Sequence, residues 1–326
     1  MTRVPDDLVS IINSSQKIGL MSHRNGDGDA FGSLLGLRNI LLRLGKDVVV
    51  FSNELLPDYM SYLEKEVSYK PTENYEKVDL LIGLDLVSVS RFTLPNIFNK
   101  AKESNVKTAI IDHHTEGEIH GMVDFAWRKE DSSSTAEMIY WLAEDLEIEI
   151  DKTTAQLLLT GLEHDTYFLT NQNVFGQTKE AQKRLHGLGG ETEIIRKSVE
   201  EISPTKNKVL MDRVGGRILV KNGILFTYIT LEDKKEAGLL GQNISSVISS
   251  YYDTLKKPRV SIAAEQRDES NIKISMRSNN SEVDVAQLCK EFGGGGHVHA
   301  SGCEIEGTLE DVLKTDFFDN LFSKIS

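Results

Sequence analysis

Hydrophobic positions along the chain follow two different rhythms. In the first half, short apolar runs alternate with stretches whose apolar residues recur at helical spacing. Lys17–His23 reads as a strand. Ala30–Leu44 reads as a helix, with Leu34, Leu35, Leu37, Leu41, Leu42 and Leu44 mostly on one broad face. Gly45 fits its C-terminal cap. Asp47–Ser52 is a valine-rich strand, Val78–Leu86 a near-continuous apolar strand of the kind buried on both faces, and Lys107–Asp112 another. Thr135–Leu146 and Thr153–Leu162 read as helices. This alternation predicts an α/β fold with a doubly wound, mostly parallel sheet.

The rhythm breaks near residues 187–206, where Gly187, Gly189 and Gly190 are followed by a charged helix and then Ser203-Pro204. Beyond the break, Arg217–Val220 and Ile224–Thr230 are short strands joined by Asn222-Gly223, a strong hairpin signal. Val260–Glu265 and Asn271–Met276 are two more strands, with a helix over Gln242–Leu255 before them. The expected organisation is a first domain over 1–190, a linker over 191–205 and a smaller α+β domain over 206–326.

Length and composition agree with this division. At 326 residues the chain can hold two cores, and 39% hydrophobic with 27% charged residues is the balance of a soluble globular protein. No apolar run approaches the ~18 residues of a membrane span, and the N-terminus lacks a signal-peptide layout. Cys289 and Cys303 form no Cys-x-x-Cys pair, so free thiols in a reducing cytoplasm are expected. A net charge of −13 argues against coating long nucleic acid, which needs a broad basic surface. It leaves room for a short anionic substrate gripped by a few arginines and metal ions.

The polar chemistry concentrates where apolar runs end. Ser22-His-Arg-Asn-Gly-Asp-Gly-Asp-Ala-Phe-Gly-Ser33 crowds His23, Asp27 and Asp29 into one glycine-rich turn. Carboxylates held that close raise one another's pKa unless a cation compensates them. Imidazole with carboxylates is a ligand set for a divalent transition metal. Asp112-His113-His114 follows the strand at 107–112, and Asp85 follows the apolar run before it. In open α/β sheets ligands bind beyond the C-terminal strand ends, so three strands delivering such groups to one edge point to a centre with more than one ion. Asp165, in Glu163-His-Asp165, is a fourth contributor at the end of a helical run.

These motifs, in this order, resemble those of the DHH phosphoesterase superfamily. The segment His23–Ser33 resembles its first motif, Asp85 with Arg91 the second, Asp112-His113-His114 the motif that names it, and Asp165-Thr166 with Phe168 the fourth. Ser275-Met-Arg277-Ser278, Asp284-Val285 and Gly293–Gly302 are similar to the DHH-associated C-terminal domain. The likeness is strongest to short two-domain members: nanoRNA exonucleases, pAp phosphatases and cyclic-dinucleotide phosphodiesterases. It implies one metal on His23, Asp27 and Asp85, and a second on Asp29, Asp85, His113 and Asp165, with Asp85 bridging. It implies two Mn²⁺, with Mg²⁺ or Co²⁺ as alternatives. Asp85, His114 and Asp112 become the catalytic group, His114 facing the substrate phosphate and Asp112 orienting a histidine. The chain departs from the pattern at Gly26, where a proline is usual and glycine should loosen the turn. It departs also at Glu163-His164, at Tyr167 in place of a small residue, and at Thr115–Glu118.

In the second domain, Gly293–Gly296 alone would read as a flexible turn after a helix over Val285–Phe292. Beside the metal motifs, Gly294, Gly295 and Gly296 read as a nest of backbone N–H groups for an anion. His297, Arg277, Ser278 and Ser301 complete the expected substrate-binding set, and Arg267 is a weaker candidate. Arginine suits phosphate because its planar fork bonds two oxygens.

The resemblance implies two-metal phosphoester hydrolysis in a cleft between the domains. Its substrates would be short single-stranded RNA cut from an end to 5′-mononucleotides, or pAp converted to AMP. Cyclic or linear di-AMP is the alternative. An inorganic pyrophosphatase and a long-substrate nuclease fit less well, and a non-catalytic nucleotide sensor should have lost ligands that are all present here. A homodimer is a further expectation; a membrane partner is not.

Overall fold

The computed structural model describes residues 4–64, 67–115, 117–170, 173–202, 207–240, 242, 244–280 and 283–314. It divides into two compact units, Met1–Val199 and Glu200–Ser326. Ser203 and Pro204, part of the expected linker, lie outside the described residues.

In the N-terminal unit the order is α1 (Asp6–Ser14), β1 (Lys17–Ser22), α2 (Gly28–Arg43), β2 (Asp47–Val50), β3 (Leu80–Leu84), α3 (Pro95–Glu103), β4 (Lys107–Asp112), β5 (Phe125–Arg128), α4 (Thr135–Asp145), α5 (Lys152–Asp165) and α6 (Gly176–Gly187). The charged helix after the glycines is α7 (Thr192–Ile202). The five strands are parallel in the order β2-β1-β3-β4-β5. Side chains alternate across the sheet. Leu20, Ile82 and Ile111 face a core shared with α2, α4 and α5, while Met21, Leu81 and Ile110 face Phe92, Ile97 and Phe98 on the other side.

Two features of this sheet place the chemistry. The strand order reverses between β1 and β3, which opens a crevice beyond their C-terminal ends. The register pairs Ser22 with Leu84 and Leu84 with Ile111, so His23, Asp85 and Asp112 are the next residues in one row.

The helix expected from Ala30 starts at Gly28, because Asp27 is its N-cap: the carboxylate accepts N–H bonds from Asp29 (3.0 Å) and Ala30 (3.1 Å). The helix expected to stop at Leu162 continues to Asp165, and the strands expected over 47–52 and 78–86 are shorter. α1, α3, α6 and β5 add to the expected elements; β5 is only the four residues Phe125–Arg128.

α2 and α5 cross with almost no separation. A Cβ on Gly32 would lie 2.6 Å from the Leu157 carbonyl oxygen and 2.9 Å from the Gly161 nitrogen. One on Gly161 would lie 2.5 Å from the Ala136 Cβ and 3.0 Å from Asp29 Oδ1. Three small residues therefore let α2, α4 and α5 converge directly beneath Asp29.

The C-terminal unit runs α8 (Lys208–Gly216), β6 (Leu219–Lys221), β7 (Ile224–Ile229), α9 (Leu231–Ala237), α10 (Ser245–Lys256), β8 (Val260–Gln266), β9 (Asn271–Ser278), α11 (Val285–Lys290), β10 (Gly295–His297), β11 (Ala300–Glu306) and α12 (Leu309–Lys314). Its six-stranded sheet has the order β10-β11-β9-β8-β7-β6, antiparallel except for β7 with β8. Asn222 and Gly223 take left-handed φ values of 53° and 78°, as the expected hairpin requires. No helix among the described residues is long and apolar enough to cross a membrane.

Gly32→Ala is expected to destabilise the protein by about 1–3 kcal/mol through overpacking, measured by urea denaturation. Gly187→Ala, with open space around its Cβ, is the control that should change little.

Candidate metal centre

Asp29 anchors the site. It is fully buried in the first turn of α2, and its carboxylate accepts the Thr135 and Ala136 backbone N–H groups, both at 2.7 Å. Those are the first N–H groups of α4, where the helix dipole favours an anion. Burial, then the Asp85 and Asp165 carboxylates, push Asp29 well above the usual carboxylate range.

Asp85 follows β3 with φ at 58° and donates its backbone N–H to Ile111. Its two oxygens face different partners. Oδ2 is 3.4 Å from His23 Nε2, which is 3.9 Å from Asp27 Oδ1. Oδ1 is 3.6 Å from His113 Nε2, which is 3.8 Å from Asp29 Oδ2 and 3.1 Å from Asp165 Oδ2. Burial alone would raise Asp85, but the His23 hydrogen bond and the nearby imidazoles hold it below the usual range. Burial opposes a charge on His23; Asp85 and Asp27 outweigh it and push the imidazole up to about 9. His113 is likewise raised despite burial, chiefly by Asp165.

Among the sets able to hold an ion are His23–Asp27–Asp85 and Asp29–His113–Asp165; Asp27–His164–Asp165 and Asp85–Asp112–His114 overlap them. The fit is chemical as well as geometric. Ligands about 2.0–2.2 Å from one ion lie roughly 3–3.5 Å apart at octahedral to tetrahedral angles; the separations here run from 3.1 to 3.9 Å, so a bound ion would draw the wider pairs slightly together. The carboxylates here outnumber the imidazoles. The surplus of carboxylates is what raises His23 and His113, and a bound divalent cation would supply positive charge at the same place.

Asp112 and His114 stand beside the two sets. His114 Nδ1 donates to Asp112 Oδ1 at 2.7 Å and lies 3.7 Å from Asp85 Oδ1. Although burial opposes it, hydrogen bonding from His114 and His120 holds Asp112 below the usual carboxylate range.

Glu54 was not foreseen. Its carboxylate accepts the Asn25 and Gly26 N–H groups at 2.5 and 3.0 Å, while its own N–H is held by Ser52 and its carbonyl by Tyr69. The turn at Gly26 is therefore clamped rather than loosened, through an N–H that proline lacks. Thr135, whose Oγ1 donates to Asp85 Oδ1 at 3.3 Å, was likewise missed, although Ser134-Thr-Ala-Glu137 has the spacing of a capping box. No sequence signal links Glu54 to a turn 28 residues away.

After Asp165, Tyr167, Phe168 and Leu169 all take left-handed φ values of 47°, 57° and 61°. Hydrogen bonds from the Tyr167 N–H to His164 and the Phe168 N–H to Glu163 hold this reversal, and Arg196 lies 4.3 Å over the Phe168 ring.

In the C-terminal unit the register aligns His297, Ala300 and Arg277 in one row across β10, β11 and β9, on one face of the sheet. Ser301 falls in the next row with Met276, on the opposite face, and donates to the Gly295 carbonyl at 2.6 Å. Ser278 Oγ donates to the Asn280 carbonyl. Gly295 and Gly296 are exposed. Gly294 has no room for a Cβ, which would lie 2.2 Å from the Gly302 carbonyl oxygen and 2.5 Å from the Cys303 Cβ. The glycine run thus leads into a paired strand, not a free turn. Arg267 stands 3.7 Å from Glu265.

Two family models match the chain: the DHH family N-terminal domain over residues 17–162 and the DHHA1 domain over 221–324. The chain belongs to the DHH phosphoesterases and is a phosphoric ester hydrolase. It is 28% identical over 295 residues to the bifunctional oligoribonuclease and PAP phosphatase NrnA of Thermus thermophilus, covering 89% of this chain and 84% of that protein. It is 26% identical to the cyclic-di-AMP phosphodiesterase PdeA of Listeria monocytogenes over 98% of this chain, and spans only 48% of that longer protein. An exopolyphosphatase-related protein from Bacteroides fragilis has the same fold, with a TM-score of 0.83, 24% identity and coverage of 98% and 95% of the two chains.

Two measurements test this geometry. Mn²⁺ at one hundred times its Kd should stabilise metal-free protein by about 2.7 kcal/mol, read as a rise in Tm, and Asp85→Ala should remove most of that rise. Tyr167→Gly should raise the Tm of the same protein, by relief of about 1 kcal/mol of left-handed strain.

Proposed function

We propose that the protein is a Mn²⁺-dependent, two-metal phosphoesterase of short nucleotides. It trims nanoRNA from one end to 5′-mononucleotides, or converts pAp to AMP. The observation that carries this reading is the divided Asp85 carboxylate, one oxygen toward each imidazole–carboxylate set. His23, Asp27 and Asp85 would hold one ion, and Asp29, Asp85, His113 and Asp165 the other. When bound, the two ions supply Lewis acidity for a phosphoryl oxygen and lower the pKa of water.

The chain's own residues do the positioning. Asp29 is fixed by the α4 N-terminus, and Asp27 is fixed as the cap of α2, so the ligand sets cannot drift apart. His114, oriented by Asp112, presents Nε2 toward the substrate phosphate. In the C-terminal unit, Arg277 and His297 are the proposed phosphate holders, because the register puts them on one sheet face. Gly295 and Gly296 would offer exposed backbone there; Gly294 would support them by close packing against Gly302 and Cys303, and Ser278 and Ser301 from the opposite face through their bonds to the Asn280 and Gly295 carbonyls. The free, buried Cys289 and Cys303 support a reducing, cytoplasmic setting.

A second reading, hydrolysis of cyclic or linear di-AMP, is favoured by the similarity to the Listeria phosphodiesterase over almost the whole of this chain. Chromatography of products from short RNA, pAp, linear di-AMP and cyclic di-AMP with Mn²⁺ separates the two. The first reading expects mononucleotides from RNA or AMP from pAp. Turnover of cyclic di-AMP alone would install the second. Asp85→Ala should lower turnover of the preferred substrate by about a thousandfold or more, since such a site accounts for several kcal/mol of barrier.

A further inference from the structure

Beyond the ligand sets, one half-buried imidazole has no assigned part. His120 lies in the single helical turn Glu118–Gly121 that follows β4. Its Nε2 stands 3.0 Å from Asp112 Oδ2, and its Nδ1 stands 3.0 Å from the Gly117 carbonyl oxygen. Asp112 is wholly buried, and His120 is 12% exposed. Among the described residues neither Asp112 Oδ2 nor His120 Nε2 has a well-aligned hydrogen bond, so their 3.0 Å approach to one another is the close polar contact each makes. The remaining Asp112 oxygen accepts from His114 Nδ1 at 2.7 Å. One carboxylate is thus held between two imidazoles, one on each oxygen.

We infer that His120 is a positioning residue for His114, acting through Asp112. A carboxylate held at one oxygen only can turn about its Cβ–Cγ bond. Held at both, it has a fixed plane, and the Nδ1–H bond of His114 then has a fixed direction. That fixes which His114 nitrogen, Nε2, faces away from Asp112. Without His120, Asp112 Oδ2 becomes a buried carboxylate oxygen with no partner, and Asp112 relaxes toward whichever donor it can reach. The His114 ring follows it. The Gly117 carbonyl locates the His120 ring, and Gly117 itself packs against Val87 in the segment after β3, where a Cβ would lie 2.8 Å from the Val87 carbonyl oxygen. His120 is thereby referenced to the strand that delivers Asp85.

The consequence for turnover rests on the proposed role of His114; the consequence for His114 itself does not. His120→Phe keeps ring volume and deletes both polar contacts. His120→Gln keeps a donor that can reach Asp112. In Mg²⁺-loaded wild-type protein the His114 Nδ1–H proton should give a downfield resonance protected from exchange. His120→Phe should lose that protection and lower kcat roughly tenfold, with Mn²⁺ stoichiometry unchanged, in the range usual for groups that support ligands from behind. His120→Gln should restore both. A protected His114 proton in His120→Phe would overturn the inference, as would failure of His120→Gln to restore it in a protein of wild-type Tm. If wild-type protein turns over none of the phosphoesters, the function proposed above fails, and the His114 resonance still decides the part played by His120.

Discussion

A carboxylate buried beneath three helices organises this protein. Asp29 sits where α2, α4 and α5 converge. It completes the N-terminus of α4, and it stands 3.8 Å from His113 Nε2, the same nitrogen that Asp165 approaches. Backbone donors, helix dipole and neighbouring charges all bear on that one group. The converging helices can reach it only because Gly32, Gly161 and Ala136 leave no side chains in the way. Packing and chemistry are therefore one problem here: whatever separates the helices also separates the ligands.

The parallel sheet solves the complementary half. Its register brings His23, Asp85 and Asp112 into one row, and the reversal of strand order between β1 and β3 opens the crevice they line. Asp85 then divides its oxygens between two ligand sets. The helical and strand contributions are independent in sequence and meet only in the folded chain, which explains why the site draws on residues from 23 to 165.

Much of this was legible in the residues themselves. Apolar runs ending in His23, Asp85 and Asp112 revealed a parallel sheet with chemistry at one edge, because a buried strand must be apolar and an acid at its end must have a purpose. The nearness of His23, Asp27 and Asp85, and of Asp29, His113 and Asp165, also followed, through the motif resemblance. Contacts made by backbone or across long loops were not legible. Nothing in the spacing of Glu54 betrays that it holds the N–H groups of Asn25 and Gly26. The glycines before His297 looked like freedom for a ligand, yet Gly294 is required by the Gly302 carbonyl and Cys303 packed against it. Ser278 and Ser301 looked like phosphate donors because hydroxyls carry no directional signature; in the fold each donates to a carbonyl.

The Glu54 clamp has a consequence for how the crevice is assembled. Ser52, Glu54 and Tyr69 belong to the segment after β2, at the far side of the sheet from β4. Through them, the turn that carries Asp27 is tied to a stretch outside the His23–Asp27–Asp85 cluster. Exchanging that stretch would retune the spacing of His23 and Asp27 while leaving both residues in place. Variation in so remote a loop is thus a route by which proteins with identical ligands could come to favour different ions.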